Sequence, residues 1–80
     1  MKIKRVTLYS RPGCHLCEMV ERIVFHVRQS HPFELETIDI EHDVAACALY
    51  HEAIPVICVD GHELTRYELT AAALISALRD

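Results

Sequence analysis

The chain has 80 residues, read as a single domain over 1–80 with one small core, because a chain this short buries only about 60% of the surface its unfolded state exposes. With 51% apolar and 25% charged residues, and only two glycines and three prolines, it has the composition of a folded globule, which excludes disordered, collagen-like and linker classes. The net charge is −4 and the eight lysines and arginines are scattered, so no nucleic-acid partner is expected, since that needs cations clustered against phosphates.

The chain starts with Lys2, Lys4 and Arg5 among apolar residues. A secretory signal would place its charges first and follow them with an unbroken apolar stretch. No run approaches the roughly 20 apolar residues that span a bilayer, so a cytoplasmic protein with no membrane partner is expected. Ile3, Val6, Leu8 and Tyr9 form a short run of β-formers, broken by Ser10-Arg11-Pro12-Gly13. Leu16, Met19, Val20, Ile23, Val24 and Val27 then fall at i, i+3, i+4, i+7, i+8 and i+11, one face of a helix. His31-Pro32 ends it, because the residue before proline is pushed out of the α region. Phe33, Leu35 and Thr37 alternate with Glu34, Glu36 and Ile38 in a second strand reaching Asp39.

Asp43 is placed to cap a short helix carrying Val44, Cys47, Ala48 and Tyr50. Ile54-Pro55 opens a third strand, Val56 to Val59, and Asp60-Gly61 is a two-residue hairpin turn leading to a short return strand at Glu63-Leu64. Thr65 and Glu68 have the spacing of a capping box, which predicts a last helix burying Leu69, Ala72, Leu74, Ile75 and Leu78. The order is β-α-β-α-β-β-α. The opening β-α-β makes a right-handed parallel pair, the hairpin adds two antiparallel strands, and helices flank a four-stranded mixed sheet in an α/β sandwich.

Four cysteines invite three readings. A disulfide scaffold is disfavoured without an export signal. A structural zinc site wants two close pairs, but only Cys14 and Cys17 are close, while Cys47 and Cys58 stand eleven apart. A lone Cys-x-x-Cys in a β-α-β setting reads as redox chemistry, with half of a metal site or two incidental buried thiols as the alternatives. Cys14 falls where the first helix starts, and the free N–H groups and partial positive charge there favour a thiolate, the attacking species. Cys17, one turn on, is within reach to close a disulfide. His15, if protonated, adds positive charge beside Cys14; otherwise it is a solvated first-turn residue. Arg11 is placed to meet an anionic substrate carboxylate, or is simply solvated. Cys47 and Cys58 read as core, and His26, His31, His42, His51 and His62 occupy exposed, loop or helix-end positions with no metal assigned.

Tyr9-Ser10-Arg11-Pro12-Gly13-Cys14-His15-Leu16-Cys17-Glu18 resembles the active-site stretch of small glutaredoxin-like proteins of the thioredoxin superfamily. Ile54-Pro55-Val56-Ile57-Cys58-Val59-Asp60-Gly61 resembles the segment that carries that superfamily's cis-proline. The resemblance implies a thioredoxin-like fold, with Cys14 as nucleophile and Cys17 as resolving thiol. It implies a cis Pro55 facing them, an Ile54 backbone that pairs with bound peptide or glutathione, and Arg11 as the basic residue ahead of the motif. His15-Leu16 stands where common glutaredoxins carry Pro-Tyr, and Thr65-Arg66 where they carry paired glycines that let glutathione meet backbone N–H groups.

The expectation is a monomeric thiol–disulfide oxidoreductase of cell redox homeostasis, holding no cofactor. It would act on protein or low-molecular-weight disulfides and be restored by an external thiol reductant, glutathione or a thioredoxin-type system. The rival readings are a redox-inactive binding module on the same fold and a metal or iron–sulfur carrier.

Overall fold

A computed structural model describes residues 3–79, so Met1, Lys2 and Asp80, and with them the lysine read first in the charged start, lie outside the described residues. β1 (Arg5–Ser10) is followed by α1 (His15–Arg28) and β2 (Glu34–Asp39). After a single 3₁₀ turn at Ile40–His42 come α2 (Val44–Tyr50), β3 (Val56–Val59), β4 (His62–Arg66) and α3 (Ala71–Arg79). The four strands form one mixed sheet in the order β2-β1-β3-β4. β1 runs parallel to β2, with Arg5 opposite Glu34 and Ser10 opposite Asp39, and antiparallel to β3, with Val6 opposite Val59 and Tyr9 opposite Val56. This is the element order and sheet read from the sequence.

The two central strands are the apolar ones. Val6, Thr7 and Leu8 of β1 and all four residues of β3 are buried. A strand covered on both faces needs no polar alternation. The main core lies between the sheet and the pair α1 and α3, where Val6, Leu8, Ile57 and Val59 meet Val20, Val24, Val27 and Leu74. A second, smaller cluster of Cys17, Ile40, Ala46 and Ile54 sits at one end of the molecule, with Tyr9, Cys14, Ile38 and Tyr50 packed against it.

Local chemistry sets most boundaries. The Asp43 carboxylate accepts the Ala46 N–H at 2.8 Å and caps α2. Asp60 and Gly61 both adopt positive φ, 51° and 81°, as a type I′ hairpin turn requires, and Asp60 Oδ1 also accepts the Arg5 N–H at 2.9 Å, fastening the turn to β1. Arg28 ends α1 by donating to the Phe33 carbonyl at 3.1 Å, with its guanidinium 5.8 Å from the Phe33 ring.

Three expectations are corrected. The last helix does not start at a capping box. Thr65 is drawn into β4 opposite Ile57, and its hydroxyl donates to the Glu68 carbonyl at 3.0 Å. Thr70 caps instead, its Oγ1 accepting the Ala73 N–H at 3.1 Å, so Leu69 is buried ahead of α3 and Ala72 is exposed. On α1, Cys17 takes the core-facing place in the first turn, so Leu16 and Met19 turn outward, 46% and 49% exposed. On α2, Ala46 is the buried residue and Cys47 is only half-buried, because the short helix turns one narrow stripe inward.

Leu74 is fully buried and touches both the sheet and α1's side of the core. Leu74→Ala is expected to lower unfolding free energy by about 2–5 kcal/mol, whereas Leu49→Ala, at 71% exposed, should stay within about 0.5 kcal/mol. Urea denaturation followed by circular dichroism measures both.

Candidate active site

The loop after β1 turns on Gly13, whose φ of 77° lies in the left-handed region that side chains avoid. The turn delivers Cys14 to the N-cap of α1 in extended conformation, φ −86° and ψ 108°. There its sulfur accepts the Cys17 N–H at 3.1 Å, taking one of the donors that a helix start leaves free. Cys14 and Cys17 are joined as a disulfide with Cα atoms 5.2 Å apart. The two sulfurs are not equivalent in access. Cys14 is half-buried, while Cys17 is 4% exposed and packs on Ile40, Ala46 and Ile54.

A pocket of about 260 Å³ opens beside the pair, and Arg11, Glu18, Glu21 and Asp39 line it together with both cysteines. Arg11 is exposed at its edge. His15, the first residue of α1, is exposed and does not line this pocket. Ile54 is buried against Cys17, Pro55 is buried behind it, and the Ile54–Pro55 bond is cis, as the resemblance implied. The Pro55 carbonyl accepts the Tyr67 N–H at 2.8 Å. Arg11, Cys14 and Cys17 thus share one pocket and Ile54 packs on Cys17, with Pro55 next to it in the chain and His15 exposed on α1. Asp39 reaches the pocket through the parallel register that sets it opposite Ser10, a placement no local motif announces. Glu21 stands four residues after Cys17, a helical spacing readable from the sequence but not singled out there.

The glycine-pair positions carry side chains held in place. Arg66 donates to the Glu63 carboxylate at 2.6 and 2.9 Å and lies 5.7 Å from the Tyr50 ring. Each partner stabilises the other's charge, holding the Glu63 carboxyl below and the Arg66 guanidinium above its ordinary value. The Tyr9 and Tyr50 rings pack with centroids 4.5 Å apart. Burial pushes both phenols above the usual tyrosine value. It also pushes up the Cys58 thiol, against the opposing effect of its hydrogen bond with Tyr50. Cys58 is buried as expected and, like Cys47, is free. Among the described residues no three His, Cys, Asp or Glu side chains gather as a metal site, and no helix is long and apolar enough to cross a membrane.

A dithiol at the start of a helix, set against a cis-proline loop on this sheet, defines a protein of the thioredoxin superfamily. Residues 5–79 match the glutaredoxin-like domain (DUF836), and the chain belongs to that family. A protein of Nitrosomonas europaea, solved in solution by NMR, is similar over 98% of this chain and 94% of its own, at 29% identity and a TM-score of 0.83. A protein of X. campestris, solved by X-ray, is similar over 92% and 95%, at 27% identity and a TM-score of 0.75. A mutant thioredoxin of Halobacterium salinarum shares the fold, at 17% identity and a TM-score of 0.73 over 95% of this chain and 72% of its own. No curated protein sequence matches the chain.

Two outcomes follow from the thiol environments. In reduced Cys17→Ser, the helix start favours the Cys14 thiolate, so its alkylation rate should reach half-maximum below the free-thiol value of about 8.5, measured as rate against pH with iodoacetamide. Cys58, Tyr9 and Tyr50 are all shifted up on folding, so each favours the fold in its neutral form. That contribution is complete below the unfolded-state pKa and is lost as pH climbs through the folded-state value. The melting temperature should therefore begin to fall as pH rises past the ordinary cysteine value of about 8.5 and fall further past the ordinary tyrosine value of about 10, and the first part of the fall should be smaller in Cys58→Ala.

Proposed function

We propose that the protein is a thiol–disulfide oxidoreductase acting through Cys14 and Cys17. The observation that carries this reading is the unequal placement of the pair: a half-buried cysteine whose sulfur caps a helix, and a buried cysteine one turn away within bonding reach. The Cys14 thiolate attacks a substrate disulfide, and one substrate sulfur leaves as a thiolate. Cys17 then attacks Cys14 in the mixed disulfide, the second substrate sulfur leaves, and the Cys14–Cys17 disulfide remains. An external thiol donor restores the dithiol. Burial of Cys17 suits the second step, since a foreign disulfide reaches Cys14 first.

The proposed substrates are protein disulfides or low-molecular-weight disulfides, met by a monomer in the cytoplasm, with no bound cofactor, nucleic acid or membrane. Arg11 is the cation available to a substrate carboxylate at the pocket's edge, His15 a second charge beside Cys14 when protonated. The Ile54 backbone is the edge against which an extended substrate would pair. Side chains on Thr65 and Arg66, the latter pinned by Glu63 and Tyr50, crowd the backbone that paired glycines would leave open, which favours a thioredoxin-type donor over glutathione.

Reduction of insulin disulfides, with dithiothreitol as donor and turbidity as readout, tests the reading. Wild-type protein should accelerate the reaction, Cys14→Ser should abolish the acceleration, and Cys17→Ser should accumulate a mixed disulfide visible by mass spectrometry. No acceleration by the wild type would favour a binding module on the same fold.

A further inference from the structure

Cys17 has to lose a proton before it can attack, and its partners in the core offer none of the usual acceptors. Ile40, Ala46 and Ile54 are apolar. Tyr9 and Tyr50, which also pack on that cluster, are both shifted up by burial and so protonated at neutral pH. A thiol in apolar surroundings holds its proton more firmly than a free one. Carboxylates stand on the open side, where Arg11, Glu18, Glu21 and Asp39 line the pocket shared by the two cysteines.

Three carboxylates compete for the role, and one of them is engaged elsewhere. Asp39 Oδ1 accepts the Glu41 N–H at 2.9 Å, and its Oδ2 lies 3.7 Å from His42 Nε2. Glu18 is exposed and stands four residues after Cys14, on that residue's side of the helix. Glu21 is half-buried and stands four residues after Cys17, and side chains at i and i+4 are neighbours on one helix face.

We propose that the Glu21 carboxylate is the proton acceptor for Cys17 in the resolving step, directly or through one water. This rests on the exchange reaction proposed above. As the Cys17 sulfur attacks Cys14 in the mixed disulfide, its proton passes to Glu21. The Cys14–Cys17 bond forms and the bond from Cys14 to the substrate sulfur breaks. The electron pair leaves on that substrate sulfur, which takes the proton back from Glu21. The cysteine pair is oxidised by two electrons, the substrate disulfide is reduced, and Glu21 returns to its starting state.

Stopped-flow reaction of the reduced protein with a chromogenic aromatic disulfide separates the two steps. The first thiolate released reports attack by Cys14, the second reports attack by Cys17. In Glu21→Gln the first phase should stay within about twofold of wild type. The second should slow about tenfold near neutral pH, less than the hundredfold or more a well-matched base supplies, because a carboxylate is a weaker base than a thiolate. The gap should close as pH rises and solvent takes the Cys17 proton unaided, and Glu21→Asp should recover part of the rate. A second phase in Glu21→Gln with the rate and pH profile of wild type would overturn the assignment, as would equal slowing of both phases. A wild-type protein that releases no second thiolate would instead overturn the exchange reaction, and this step with it.

Discussion

The hydrogen bond from the Cys17 N–H to the Cys14 sulfur, at 3.1 Å, ties the site to the fold. A helix start leaves backbone donors to be satisfied, commonly by an oxygen of Ser, Thr, Asp or Asn. Here a cysteine sulfur takes that place, so the atom that caps α1 belongs to the less buried of the two cysteines. The same donors and the helix's partial positive charge that make a cap useful also stabilise a thiolate. Structure and reactivity therefore make the same demand on this position, and Gly13 supplies the left-handed turn that lets the chain leave β1 and meet the demand immediately.

Burial then separates the two sulfurs. The cluster under Cys17 draws on four elements: α1 itself, the 3₁₀ turn through Ile40, α2 through Ala46, and the loop before β3 through Ile54. Fastening Cys17 to that cluster while Cys14 stays half-buried makes the difference in access between the two a property of packing. It also explains the correction on α1. Because Cys17 occupies the inward place in the first turn, Leu16 and Met19 face outward, and the apolar stripe read from period alone is rotated at its start.

The features legible in the sequence were those written in local chemistry. Asp43 as a cap, Asp60-Gly61 as a hairpin turn and the β-α-β start each follow from a few adjacent residues, and each stands where expected. The Cys-x-x-Cys and Ile54-Pro55 segments were legible as a pair because each has a recognisable form, although 36 residues separate Cys17 from Ile54. What failed depended on competition between partners. Thr65 and Glu68 have the spacing of a capping box, but β3 claims Thr65 for the sheet, and Thr70 starts the helix. Cys47 and Ala46 are neighbours on a short helix, and which of them turns inward is set by how α2 lies on Ile40 and Ile54, not by either residue's hydrophobicity. Asp39 enters the pocket only through strand register, which no window of sequence contains.

The end of β4 and the residue after it show how the chain is held where Thr65-Arg66 replaces paired glycines. Tyr67 takes a φ of 68°, a conformation costly for an aromatic residue. It is held there by donating its N–H to the Pro55 carbonyl, so the residue that bears the strain is fastened to the cis-proline loop. One residue earlier, the Arg66 guanidinium is drawn aside by a two-point bond to Glu63 and by the face of Tyr50. Tyr50 in turn packs on Tyr9 and on the Cys17 cluster. A continuous line of contacts therefore runs from β4 through α2 to the floor of the dithiol. The bulk introduced at Thr65 and Arg66 belongs to that scaffold, and relieving it with glycine would remove the Arg66 anchor as well as open the backbone.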